Sequence, residues 1–172
     1  MTGFSLRSAI SFSQKIKYQH PDVPVVWGGV QPTAIPEVCL KEDFVDAVGM
    51  GEGEELIVDI AKMFNGLLTP YEVKGLAFKD DAGNIIVRER REFINNLDEY
   101  KADYSLIDLN QYIFYGNITG LIMSSRGCAF NCAFCYNNAF NNGRWRKHSL
   151  EYDLNVLQEL RVKYQFKGFS FS

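Results

Sequence analysis

Three of the four cysteines in the sequence, Cys128, Cys132 and Cys135, fall within eight positions, with three and then two residues between them. Thiolate is the soft ligand that zinc and iron–sulfur clusters select, so a loop that returns three thiolates to one point suits a metal centre. Structural zinc sites usually gather their ligands as two pairs, and an ordinary cubane cluster takes four cysteines. The fourth cysteine, Cys39, lies far upstream beside Leu40. A cluster held by three cysteines keeps one iron open for another ligand. The residues leave three alternatives standing: a zinc site completed by His148, a carrier-type cluster completed by Cys39, and a chance grouping of buried thiols. A disulfide framework is disfavoured, because it would strand one thiol inside the group.

The elements that must position this loop follow from the rest of the chain. The sequence has 172 residues, 47% hydrophobic and 23% charged, and 18 basic against 21 acidic residues give a net charge of −3. That balance suits a globular fold and, lacking a basic stripe, argues against nucleic acid as a partner. No run of eighteen apolar residues and no basic-then-apolar leader occur, so a membrane partner is not expected. Unpaired thiols suit a reducing, cytoplasmic setting.

Apolar spacing predicts a helix over residues 4–18, with Leu6, Ala9, Ile10, Ser13 and Ile16 on one face. A buried strand follows over 23–27, ending at Gly28 and Gly29, and then a short helix near 33–40. A second strand is expected over 44–50, running into Gly51, Glu52 and Gly53, with a helix from 54 to 64 on Ile57, Ile60, Ala61 and Phe64. Its first turn is acidic, as the helix dipole prefers. This alternation implies a parallel α/β sheet whose ligands sit beyond the carboxyl ends of the strands, where both glycine loops fall. Residues 73–78 and 85–88 flank a polar turn and predict a surface hairpin. An aromatic-rich linker follows, then a strand over 118–125 that delivers the cysteine loop. Ser149 caps a helix with Leu150, Leu154, Leu157, Leu160 and Tyr164 on its buried side, and a further strand begins at Phe169.

The cysteine spacing, with Phe134 directly before the third cysteine, resembles the signature of the radical S-adenosylmethionine enzymes. The resemblance implies a 4Fe-4S cluster on Cys128, Cys132 and Cys135, S-adenosylmethionine bound at the open iron, and Phe134 lying against the adenine. It also implies reductive cleavage of S-adenosylmethionine to a 5′-deoxyadenosyl radical, fed by an external donor of flavodoxin or ferredoxin type and acting on a small-molecule substrate. The block from Val25 to Thr33, with Asp46, Ala47, Val48 and the Gly51, Glu52, Gly53, Glu54 loop, is similar to the second half of the cobalamin-binding domain that precedes the barrel in one subfamily. By that resemblance Gly28, Gly29, Val30, Gly51, Glu52 and Gly53 line the cobalamin slot, with Thr2 a further candidate. Two features depart from the pattern: the Asp-x-His-x-x-Gly motif of many such domains is absent, and Gln31 stands where relatives often carry histidine.

The resemblance implies a C-terminal part of a Rossmann-like cobalamin-binding domain over 1–66, a hairpin and linker over 67–116, and the start of a partial TIM-type barrel over 117–172. A full barrel needs about 250 residues, so the chain reads as a piece of a larger enzyme. The implied reaction of the parent is methyl transfer to an unactivated carbon or phosphorus centre; other members cyclise, rearrange or transfer sulfur. The competing reading is a non-catalytic iron–sulfur carrier or a zinc-stabilised binding module.

Overall fold

A computed structural model describes residues 3–114 and 116–171. The chain divides into two compact units, Met1–Phe93 with Ala133–Asn142, and Ile94–Cys132 with Gly143–Ser172. Among the described residues no helix is long and apolar enough to cross a membrane.

The first unit opens with α1 (Gly3–Gln19), followed by β1 (Val26–Gly28). The strand expected from residue 23 starts three residues later, because Pro24 has no N–H to give a ladder. The helix expected near 33–40 is two short ones, α2 (Val30–Ala34) and α3 (Pro36–Cys39). They break at Ile35, whose φ of −139° and ψ of 55° lie outside the helical region that a following proline disfavours. Next come β2 (Ala47–Gly49) and α4 (Glu54–Phe64), then β3 (Leu76–Lys79) and β4 (Ile85–Val87). The sheet order is β1-β2-β3-β4; β1 and β2 are parallel, with Gly28 opposite Gly49, and the other neighbours are antiparallel.

Two apolar clusters cover this sheet. Trp27, Cys39, Leu40, Phe44, Val45, Val48, Met50 and Ala77 form one, against which Leu6, Ala9 and Ile10 of α1 pack. Inside it the Trp27 indole N–H donates to the buried Ser13 hydroxyl at 3.0 Å, which satisfies both groups. Leu56 and Ile60 of α4 pack with Ala47, Val73, Leu76 and Phe78 in the other. Two sequence expectations change here. The hairpin is not a surface feature: Leu76 and Ala77 are fully buried, and β3 is an inner strand. In α4 the buried stripe is Leu56 and Ile60, whereas Ile57 and Phe64 are exposed, so the helical period is as expected and its phase is shifted by one residue.

The second unit begins with short 3-10 turns in the linker, at Leu97–Glu99, Tyr104–Leu106 and Leu109–Gln111. They lead to β5 (Ile113–Phe114) and β6 (Asn117–Ile122), an antiparallel pair. A separate strand, β7 (Ser125–Gly127), precedes the cysteines. The short helix α5 (Asn137–Asn141), assigned to the first unit, lies between them and β8 (Trp145–Lys147), which pairs antiparallel with β7. The chain then forms α6 (Leu150–Val162) and β9 (Gly168–Phe171), which lies parallel to β6. This strand–helix–strand unit buries Ile122, Leu160 and Phe166, with Val156, Leu157, Tyr164 and Phe169 around them. Leu150 and Leu154, expected on the buried side of α6, are exposed.

Candidate cluster and cofactor loops

The cysteine segment leaves and re-enters a two-stranded ribbon. Arg126 lies opposite Arg146 and Gly127 opposite Trp145 in the β7–β8 pair, so the two ends of the segment are held side by side. The like charges of Arg126 and Arg146 are an unfavourable cross-strand pair on their own. The Arg146 Nη1 donates to the Ile94 carbonyl at 2.8 Å, which draws this guanidinium to a polar partner.

None of the four cysteines forms a disulfide. Cys128 and Cys135 are half-buried and Cys132 is exposed, on irregular backbone. Cys128 and Cys132 belong to the second unit and Cys135 to the first. Among the described residues no group of three or more His, Cys, Asp or Glu side chains is gathered to hold a metal ion. Three thiolates need a cation to offset their mutual repulsion, so their convergence belongs to the metal-bound state of such a loop. As a donor set, three thiols on one accessible loop fit an iron–sulfur cluster with one iron left open. Phe134 is 93% exposed and Phe130 74%, so the segment offers aromatic faces to a planar ligand.

The other two candidate ligands are both buried. Cys39 is 5% exposed within the apolar cluster of Trp27 and Leu40, and burial pushes its thiol pKa up, away from the thiolate form that a ligand needs. His148 is buried, with Nδ1 3.0 Å from Asp98 Oδ1 and its ring stacked on Tyr152 at 4.2 Å. The same Asp98 oxygen accepts from the Ser149 N–H at 3.0 Å. Hydrogen bonds from Ser149, then His148, hold the Asp98 carboxyl below the usual aspartate range. Asp98 thus anchors the linker to the start of α6, a role invisible in a segment without periodicity.

The Ser149 hydroxyl accepts from the Tyr152 N–H at 3.1 Å, as the expected cap. Ser149→Ala is expected to cost about 1 kcal/mol, read as a lower urea midpoint at unchanged slope.

In the first unit the two glycine loops leave the carboxyl ends of paired parallel strands, so Gly29, Val30, Gly51 and Glu52 share one sheet edge. Gly29 (φ 94°) and Gly51 (φ 88°) both occupy the left-handed half of conformational space, where a side chain is strained. The loops are tied together: the Gly51 N–H donates to the Thr33 hydroxyl at 3.0 Å, and Thr33 is 2% exposed. Gly28 and Gly53 are exposed, and Gly29, Val30, Gly51 and Glu52 are half-buried. Thr2, the remaining slot candidate, lies outside the described residues. Thr33 was part of the resembling block but carried no role in it; only the folded chain shows its hydroxyl closing the gap between the loops.

No protein-family profile matches the chain. An uncharacterised methyltransferase of Pyrococcus horikoshii is 33% identical over 175 residues, covering 99% of this chain and 37% of the relative. The anaerobic magnesium-protoporphyrin IX monomethyl ester cyclase of a Synechocystis species is 32% identical over 128 residues, covering 73% of this chain and 25% of the relative. The chain thus spans between 25% and 37% of the length of these relatives. In fold it is similar to the cobalamin-dependent S-adenosylmethionine radical enzyme OxsB, solved with aqua-cobalamin and S-adenosylmethionine bound. The TM-score is 0.73 at 24% identity, over 95% of this chain and 24% of that one. With the cysteine spacing and the paired glycine loops in place, these similarities show that the chain belongs to the radical S-adenosylmethionine enzymes that carry a cobalamin-binding domain.

Proposed function

We propose that the chain supplies the cluster loop and half of the cobalamin slot of a radical S-adenosylmethionine enzyme, with residues 1–66 as the cobalamin-side part, 67–116 as hairpin and linker, and 117–172 as the start of the barrel. The observation that carries this reading is the three-thiol segment with its ends held by the β7–β8 ribbon, in a chain whose other unit aligns two glycine loops at one sheet edge. Cys128, Cys132 and Cys135 would ligate the cluster, and Phe134 would lie against the adenine of S-adenosylmethionine. Gly28, Gly29, Val30, Gly51, Glu52 and Gly53 would face cobalamin, with backbone N–H groups and small side chains allowing close approach.

The chemistry such groups supply when bound is reductive cleavage of S-adenosylmethionine to methionine and a 5′-deoxyadenosyl radical, with cobalamin as methyl carrier. The chain's own residues would hold and orient these groups. Methyl transfer is the reaction class that the Pyrococcus relative supports; the acceptor would be an unactivated centre of a small molecule. The cyclase relative shows that close sequences also serve another product class. The electron donor would be of flavodoxin or ferredoxin type and the setting cytoplasmic, with neither nucleic acid nor a membrane as partner.

The test is electron paramagnetic resonance of the anaerobically reconstituted, dithionite-reduced chain, with and without S-adenosylmethionine. A cubane-type signal that shifts on addition of S-adenosylmethionine is expected. Bound zinc with no such signal would overturn the proposal.

A further inference from the structure

Beyond β4 the chain stays extended past the end of the hairpin: the Arg88 N–H donates to the Leu76 carbonyl at 2.9 Å, and the Gly75 N–H to the Glu89 carbonyl at 2.7 Å. Successive side chains of an extended chain point to opposite sides, so the neighbouring residues Arg90 and Arg91 reach different partners. Arg91 turns to α4, where its Nη1 donates to Asp59 Oδ2 at 2.6 Å and its Nη2 to Glu55 Oε2 at 2.8 Å. Arg90 instead donates from Nη1 to the Ala139 carbonyl of α5 at 2.6 Å, and from Nη2 to the Thr33 carbonyl of α2 at 3.0 Å.

Both carbonyls need such a donor. The last four carbonyls of a helix have no i+4 donor within it, and Thr33 and Ala139 both stand in that last turn of five-residue helices. A guanidinium meets this need in two ways. Its positive charge is favoured at a helix carboxyl end, and its planar fork presents two N–H groups at fixed divergence, which a lysine ammonium cannot. The partners give the contact its meaning. Thr33 is the residue whose hydroxyl holds the Gly51 N–H, and α5 begins two residues after Cys135. One side chain therefore joins the helix that follows the first glycine loop, through Thr33 the second glycine loop, and the segment bearing the third cysteine.

We infer that Arg90 is a positioning residue that locks the Cys135 segment to the two glycine loops within the first unit. Its consequence for cofactors rests on the proposed function; the bridge itself rests on the three hydrogen bonds that join Arg90 to Ala139 and Thr33 and Thr33 to Gly51. The pairing with Arg91 assigns each arginine its own helix set: α2 and α5 for Arg90, α4 for Arg91.

The experiment is residue-resolved hydrogen exchange on the 172-residue chain, comparing wild type with Arg90→Ala, Arg90→Lys and Arg91→Ala. In Arg90→Ala the amides of Ile35 and Phe140, which close α2 and α5 onto Gln31 and Tyr136, are expected to exchange roughly tenfold faster, while Ile57 of α4 is unchanged. Arg90→Lys, which keeps the charge and loses the fork, is expected to restore part of this protection and guards against a variant that fails to fold. Arg91→Ala is expected to show the reverse pattern, with Ile57 faster and Phe140 unchanged. Unchanged exchange at Ile35 and Phe140 in Arg90→Ala, or equal acceleration at all three amides, would overturn the inference.

A second readout separates positioning from plain structure. Cob(II)alamin added to the reconstituted wild-type chain is expected to broaden the reduced cluster's resonance, and Arg90→Ala to lose that broadening while keeping its iron. Retained broadening would overturn the role in positioning. A wild-type chain that takes up neither group would sink the proposed function, with the exchange result still deciding the bridge.

Discussion

Replacing any one of Cys128, Cys132 or Cys135 by alanine is expected to bring the iron content of the reconstituted chain to background, whereas Cys39→Ala retains it in full. The contrast follows from where the thiols sit. The three loop cysteines are the only accessible thiols of the sequence, and a cluster with three protein ligands has none to spare. Cys39 sits at 5% exposure beside Trp27 and Leu40, with its thiol held in the neutral form by burial. Its replacement removes one sulfur from an apolar core and is expected to cost about 1 kcal/mol of stability without touching iron. Iron analysis and visible absorption after anaerobic reconstitution distinguish the cases. Loss of iron in Cys39→Ala would restore the carrier-type reading, in which that thiol is the fourth ligand.

Leu76→Ala is expected to destabilise the first unit by about 3 kcal/mol. Leu76 is fully buried in β3, between the α4 cluster and the Gly49 end of β2, and the deletion leaves a cavity that the strands on both sides keep open. A residue on a surface hairpin would change stability by no more than about 0.5 kcal/mol. Urea denaturation followed by circular dichroism measures the difference. An effect at the lower figure would mean that β3 is not an inner strand of the sheet. Loss of β3 would also release the Met50 N–H, which donates to the Gly75 carbonyl at 2.7 Å directly before the Gly51 loop. Cobalamin binding is therefore expected to weaken together with stability.

The order of elements in both units was legible because each is carried by a strong local signal. Val25 and Val26 ahead of a glycine pair mark a strand and its turn, and Ser149 marks a helix start. Phase was less legible than period. In α4 apolar residues occupy both sides of the stripe, Leu56 and Ile57 among them, so spacing alone permits two faces and only packing against Val73 and Leu76 selects Leu56. The same ambiguity placed Leu150 and Leu154 on the wrong side of α6. The hairpin was recognised as a hairpin but misplaced, since its pairing with β2 joins residues far apart in sequence. Short polar elements left almost no trace. The one available sign of the end of α5 was Asn142 before Gly143, a pair suited to the left-handed turn they adopt, with φ of 51° and 68°. The three thiols were readable from spacing; Thr33, Arg90 and Asp98 were not, because their partners are brought to them only by the fold.

The β7–β8 ribbon gives the cysteine segment the character of a ring already closed. The entropy of bringing its ends together is spent when Gly127 pairs with Trp145, before any metal arrives. Assembly then becomes a local search by side chains within a tethered loop, with no need for the chain to fold around its cargo. A segment of this kind should survive oxidative loss of iron with its frame intact and be recharged repeatedly, so that repair of the centre is a matter of supply and not of resynthesis.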